Sequence, residues 1–309
     1  MKPMIPLQKV WDKVDAMSKN CVDALIPVPE ISFLNMENVI ISGKSHPLRN
    51  IAQRSICYRL GVPQQYLRKC PEDVQAYNLN HWIAKEKNNE MFFRFDGEDV
   101  RAVFTPKYSP VDNFEVLNQL DQLGYTPETE VQCQIDGEMM MLNIPDPAGE
   151  FVVMGNDRMR PGLSISNSEV GLAALCISAF ILRLICTNGM ITKESHDNSY
   201  RHISSKILEK FPEVLSGIAS QLVQQQNRLR ISAESKVSNP FATMDSFNRQ
   251  FLLNDVEKLA VVWAWPFEQG DTMFNIMNTY TKAAQYDELT TESAYRLQKV
   301  GGSILALVQ

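Results

Sequence analysis

In a series of short runs between Met91 and Thr187 the hydrophobic period is two rather than 3.6, which narrows the available folds more than any other feature of the chain. Phe93 and Phe95 alternate up to Asp96-Gly97, and Val100, Ala102 and Phe104 alternate after it. Val131–Ile135 and Met139–Ile144 flank Asp136-Gly137 in the same way. Asp-Gly tolerates the positive φ angles of a two-residue hairpin loop, so each pair of runs predicts two antiparallel strands. Leu163–Ser166 and Leu172–Thr187 are expected to add strands, with Gly171 permitting a close turn between them. A largely antiparallel twisted sheet over about residues 91–190 follows.

Helical periodicity lies on either side of this stretch. Val10, Val14 and Met17, continued by Val22 and Ala24–Leu25, predict an amphipathic helix stopped by Pro27 and Pro29. A second helix is expected over Leu48–Leu60, ended by Gly61, and Pro63 opens a short one over Gln64–Lys69. Pro106 and Pro110 end the first hairpin, and Asp112 or Asn113 caps a helix running to Leu123 and Gly124. After about residue 200 the pattern is helical again: Ile203, Ile207, Leu208 and Phe211, then Leu215–Leu229 with a polar face at Gln221, Gln224, Gln225 and Gln226. Ser232–Thr243, holding Pro240, is expected to be a linker or mobile loop. The fold class is therefore α+β. It comprises a helical unit over 1–90, an antiparallel sheet core with one helix over 91–200, and a helical region over 201–309 packed with the core as one structural unit.

The chain's 309 residues, 44% hydrophobic and 21% charged, suit a globular protein and exclude a disordered or collagen-like one. Six dispersed cysteines without a CxxC pair, and an N-terminus without the apolar run of a signal peptide, lead us to expect a reduced protein of the cytoplasm. The most apolar stretch, Leu172–Cys186, contains Arg183 and is too short to span a hydrocarbon layer of about 30 Å, so no membrane association is expected. A net charge of −6 repels polyanions overall, so any site for one must be local. Charge is in fact segregated. Residues 44–107 carry 11 basic and 7 acidic side chains, whereas residues 108–157 carry 10 acidic and none basic.

Catalytic patterns are missing. Cys186, His196, Asp197 and His202 include zinc-type donors but fit no finger spacing. Ser166, Ser168 and Ser178 lack a GxSxG elbow, and neither a Walker sequence nor GxGxxG is present. The acidic block offers carboxylates of the kind two-metal nucleases use, although local backbone chemistry alone explains Asp112 as a helix cap and Asp136 as a turn residue. No catalytic residue, metal or cofactor is assigned. What the chain does place in or beside its strands is basic, aromatic and amide side chains: Arg94, Arg101, Lys107, Tyr108, Arg158, Arg160, Asn188, Tyr200, Arg201 and His202. Guanidinium groups bind phosphate and aromatic faces stack on unpaired bases, so these residues are the candidate nucleic-acid site. Arg94, Arg101, Lys107 and Arg201 would hold phosphates, with Tyr108 and Tyr200 under bases. The reading requires them to meet in one solvent-open groove; the plainer alternative pairs the arginines with the acidic block.

Four segments together resemble the domain-of-unknown-function 932 family of phage- and plasmid-associated bacterial proteins. They are Ile56-Cys57-Tyr58-Arg59-Leu60-Gly61-Val62-Pro63 with Tyr66-Leu67, and Val100-Arg101-Ala102-Val103-Phe104-Thr105 leading to Tyr108 and Asp112-Asn113. The third runs from Ser166-Asn167-Ser168-Glu169-Val170-Gly171 into Arg183-Leu184-Ile185-Cys186-Thr187-Asn188-Gly189-Met190 and on to Arg201-His202, and the fourth is Asn275–Thr281. The resemblance implies a mobile-element setting and hence a DNA transaction such as recombination, annealing or replication. The expected function is non-enzymatic binding of single-stranded DNA by a homo-oligomer in a bacterial host cell. Two alternatives stand beside it: a metal-dependent nucleic-acid hydrolase using Asp112, Glu169 and His202, and a factor that binds host defence or replication proteins through the Gln-rich helix and acidic block.

Overall fold

The computed structural model describes residues 3–192, 198–200 and 225–308. Its largest sheet has eight strands, antiparallel throughout. Strands β1 (Ile5–Pro6), β8 (Glu130–Ile135), β9 (Met140–Pro145), β11 (Asp157–Asn167), β12 (Leu175–Arg183) and β13 (Asn188–Ile191) lie side by side in that order. β10 (Phe151–Met154) also pairs with β11, and β14 (Asn198–Tyr200) with β12. The near-continuous apolar run of β12 is explained by burial on both faces. Leu175, Ile177 and Ala179 pack with Leu7 and Val10 of α1 (Leu7–Ser18) and with Val116, Leu117 and Leu120 of α5 (Asn113–Gln122). Phe180 and Leu182 pack on the opposite side with Phe274, Tyr280, Leu297 and Ile304 from the C-terminal helices.

The first hairpin, β6 (Glu90–Asp96) and β7 (Asp99–Phe104), turns as expected through Gly97 at φ +58° but does not join this sheet. It forms a separate three-stranded sheet with β2 (Cys21–Pro27). The single-sheet expectation is corrected accordingly, because β2 supplies the hairpin with its own partner. β2 also corrects the helix expected to run to Leu25: the helix ends at Ser18, and Cys21 to Pro27 pair with Asp96 to Glu90. Val22 and Leu25, whose spacing looked helical, are exposed on this edge strand, where Pro27 forfeits no ladder bond. The asserted helical unit over 1–90 is thus mixed. It contains a third sheet, β3 (Ile31–Phe33), β4 (Asn38–Ile41) and β5 (Lys44–Pro47), turning through Ser42 and Gly43 at positive φ. The helices α2 (Asn50–Leu60) and α3 (Gln64–Leu67) form where expected, and α4 (Glu72–Ile83) is an addition. These elements enclose a core of their own around Ile56, Leu67, Leu79 and Phe93.

The C-terminal region comprises α6 (described over 225–234), α7 (Pro240–Gln250), α8 (Asp255–Glu268), α9 (Met273–Ala283) and α10 (Thr291–Ala306). Of the Gln-rich face, Gln225 is buried, while Gln221 and Gln224 lie outside the described residues. Ser232–Thr243 is a connection only over 235–239, and helical on either side. α6 runs to 234, Lys236 bridges to Thr272, and Pro240 occupies the first turn of α7, where its missing N–H costs nothing. The Asn239 side chain accepts from the Ala242 amide and caps that helix. Among the described residues no helix is long and apolar enough to cross a membrane.

Candidate functional site

Arg94 sits on β6 and Arg101 on β7, two strands whose side chains must be satisfied where they meet the loops around residues 112 and 169. Arg94, 3% exposed, donates from Nε to Asp23 Oδ1 at 2.9 Å, from Nη2 to Asp112 Oδ1 at 2.6 Å and from Nη1 to the Glu169 carbonyl at 3.0 Å. Burial alone would lower its pKa, but Asp112 and Asp23 outweigh that and raise it, so the guanidinium stays charged. Arg101, also buried, donates to a Glu169 carboxylate oxygen and to Cys21 Sγ. The other Glu169 oxygen accepts from the Asn113 amide at 2.8 Å. Asn167 donates to the Val111 carbonyl and Asn113 Oδ1, and Ser168 Oγ donates to the Glu138 carbonyl while accepting from the Leu172 amide. Residues 111–113 and 167–172 are thereby clamped together over β6 and β7. The expected solvent-open trough is corrected at both arginines: they are spent inside the protein because buried charge requires compensation.

The clamp shapes the surface beside it. Gly171 is held at φ +79° against Phe104, and a Cβ at this position would stand 2.5 Å from Phe104 Cε1. Phe104 and Tyr108 stack with centroids 3.7 Å apart and planes 2° from parallel, and the Tyr108 hydroxyl donates to the Glu169 carbonyl. Burial raises the Tyr108 pKa, so the phenol stays protonated. This stacked pair forms one wall of an open groove of about 1020 Å³, with Tyr58 and Arg59 of α2, Lys107, and Leu172 after the Gly171 turn around it. Lys107 is exposed, and Tyr58 is 89% exposed. Arg59 donates to Glu86 at 2.8 Å.

Of the candidate residues whose side chains are described, the structure brings Lys107 and Tyr108 to this groove. Tyr108 is a wall rather than a free platform, since Phe104 covers one face and Phe92 lies 5.6 Å away at a tilt. Arg158 and Arg160 share Glu150, at 2.7 and 2.9 Å. Asn188 is 1% exposed and belongs to a second buried cluster, donating to Glu268 and accepting from Gln285. Arg183 joins that cluster through Asp157 and Glu268. Cys186 donates to Glu268, and burial, with the carboxylate adding to it, pushes the thiol up to about 12, so it is protonated and unreactive at neutral pH. Tyr200 lies in β14 opposite Leu175; Arg201 and His202, like His196 and Asp197, lie outside the described residues.

Tyr58, the most exposed aromatic of the groove, was absent from the candidate list. A helical signal could have found it: Ile56, Cys57 and Leu60 are buried, which turns position 58 outward. Asp112 and Glu169 are committed to arginines and backbone amides, and among the described residues no three His, Cys, Asp or Glu side chains are grouped to hold a metal ion. In comparison with known proteins, the family described as "Domain of unknown function (DUF932)" matches residues 101–291. No curated protein and no solved structure matches the chain. The matched stretch holds Arg101, Lys107, Tyr108, Glu169 and Gly171, hence most of the clamp and one side of the groove, and it covers more than half of the sequence. This chain therefore belongs to the family of the domain of unknown function DUF932.

Proposed function

We propose that this protein binds single-stranded nucleic acid, with DNA as the target, in the groove between α2 and the Gly171 turn. The observation that carries the proposal is the exposed ring of Tyr58 in a groove that also holds Lys107 and the Phe104–Tyr108 stack. A free aromatic face stacks on an unpaired base of any identity, and a nearby cation attracts the phosphates. Lys107 is the exposed cation at this groove, since Arg59 is held by Glu86. The mobile-element setting implied by the family resemblance accords with recombination, annealing or replication in a bacterial cell.

The test is fluorescence anisotropy of a labelled thymine oligonucleotide at about 50 mM salt, where phosphate contacts dominate. Wild-type protein is expected to bind, with affinity falling steeply as salt rises. Tyr58→Ala should weaken binding by about tenfold or more, the equivalent of one base stack. Lys107→Glu should weaken it and flatten the salt dependence. Absence of binding at low salt, or full affinity in both variants, refutes the proposal.

A further inference from the structure

Helix α4 carries a second aromatic and cationic surface outside the groove. Tyr77 and His81 lie four residues apart on one face of the helix, and Lys85 follows in the turn just after its end. Tyr77 and His81 stack at 5.9 Å, His81 meets Trp82 edge-on at 5.1 Å, and Lys85 Nζ lies 4.8 Å over the Trp82 ring and 2.8 Å from His81 Nε2. These four side chains are solvent-exposed, Tyr77 at 71% and Trp82 at 43%. Exposed apolar rings on a helix lose free energy unless something covers them. Here they are kept in mutual contact, so the surface is presented ready-made.

What covers it follows from charge and position. Lys85 and Lys87 are exposed at the end of this strip, whereas Glu86 between them turns away to hold Arg59. Arg59 is itself a groove residue, so the ion pair joins the end of α4 to the rim of the groove. Lys85 and Lys87 adjoin Glu86 in the chain and Trp82 precedes it by four residues, so the strip begins beside the residue that holds Arg59. We infer that the α4 strip of Trp82, His81, Tyr77 and Lys85 is a second platform for the same strand, so that the full binding site is longer than the groove. This inference rests on the nucleic-acid reading of the groove. Rings supply stacking and lysines supply phosphate attraction, the combination that favours a nucleic acid over an acidic peptide, which offers charge but no bases.

The experiment compares thymine oligonucleotides of about 6 and about 16 nucleotides, a range that brackets known single-strand site sizes. Trp82→Ala and Lys85→Glu should leave the short one bound as in wild type. The same variants should weaken the long one about tenfold or more. The long oligonucleotide should also quench tryptophan fluorescence in the wild type, and Trp82→Phe should remove most of that quenching. Equal affinity of wild type and both variants for the long oligonucleotide overturns the inference while leaving the groove intact. Failure of the wild type to bind either length removes the groove reading and this one with it. Displacement of the long oligonucleotide by an equal concentration of polyglutamate would reassign the strip to an acidic protein partner.

Discussion

Asp136 shows how a single carboxylate holds two distant pieces of chain. Its Oδ1 accepts from the Glu138 and Met139 amides, closing the turn between β8 and β9, and its Oδ2 accepts from the Thr291 amide at the start of α10. Gly137 is not in the left-handed region, so this turn is made by the aspartate side chain rather than by the glycine. Burial would raise the Asp136 pKa, but the bonds from Thr291, Glu138 and Met139 outweigh it and hold the group below the ordinary carboxylate range. A folded-state pKa below the unfolded value of about 3.9 stabilises the fold above that value, and the contribution is lost as pH falls through the folded pKa. Asp136→Asn should therefore lower the urea midpoint at pH 7 and narrow the gap to wild type at pH 3; an unchanged gap would contradict the assignment. Position 136 was legible as a turn residue from the Asp-Gly dipeptide. Its bond to Thr291 was not, because the two are 155 positions apart. Arg94 and Arg101 pose the same problem: a sequence shows a charge but not the carboxylates that fold against it.

At the scale of elements, legibility follows the range of the determining interactions. α5 was readable from start to stop because its cap at Asp112 or Asn113 and its stop at Gly124 act on backbone within a few residues; the structure selects Asp112, adds Glu115 as the other half of a capping box and has Gly124 at φ +90°. β2 was not readable, since its Val22 and Leu25 fit a helical spacing and only its pairing with β6 makes it a strand. The junction of α10 and β13 is another long-range matter. Gly302 sits so close to β13 that a Cβ there would stand 1.9 Å from the Ile191 carbonyl oxygen, which is backbone and cannot swing aside. Gly302→Ala should push the helix off the strand and destabilise the protein by about 1–3 kcal/mol, as overpacking does, despite alanine's better helix propensity. Chemical denaturation measures this; a stabilised variant would show the helix to be free to shift.

For the whole molecule, the large sheet is the shared floor of two cores. One lies between it and α1 with α5, the other between it and the C-terminal helices, with β12 contributing to both. Glu268 on α8 and Gln285 after α9 tie into the buried cluster of Arg183 and Asn188, so the helices are pinned to the sheet by polar contacts as well as apolar ones. The region after residue 225 should then melt together with the sheet. Fluorescence, to which the half-buried Trp263 and Trp265 of this region contribute, and far-UV circular dichroism should give coincident transitions in urea. A separate earlier fluorescence transition would show a helical domain of independent stability.

The sequence by itself determined the α+β class, the hairpins, α2, α5 and the helical character of the C-terminal end, all of which depend on periodicity, caps and turn dipeptides acting over a few residues. It also showed charge segregated along the chain, with a basic segment followed by an acidic one. Only the tertiary structure decided that the strand arginines would be consumed in a buried clamp while Tyr58 and Lys107 remained at the groove. The physical reason is that a guanidinium is attracted by a carboxylate and a phosphate through the same force. Which of them it meets depends on solvent exposure and on neighbours brought from 70 or more residues away, as Asp23 and Glu169 are to Arg94.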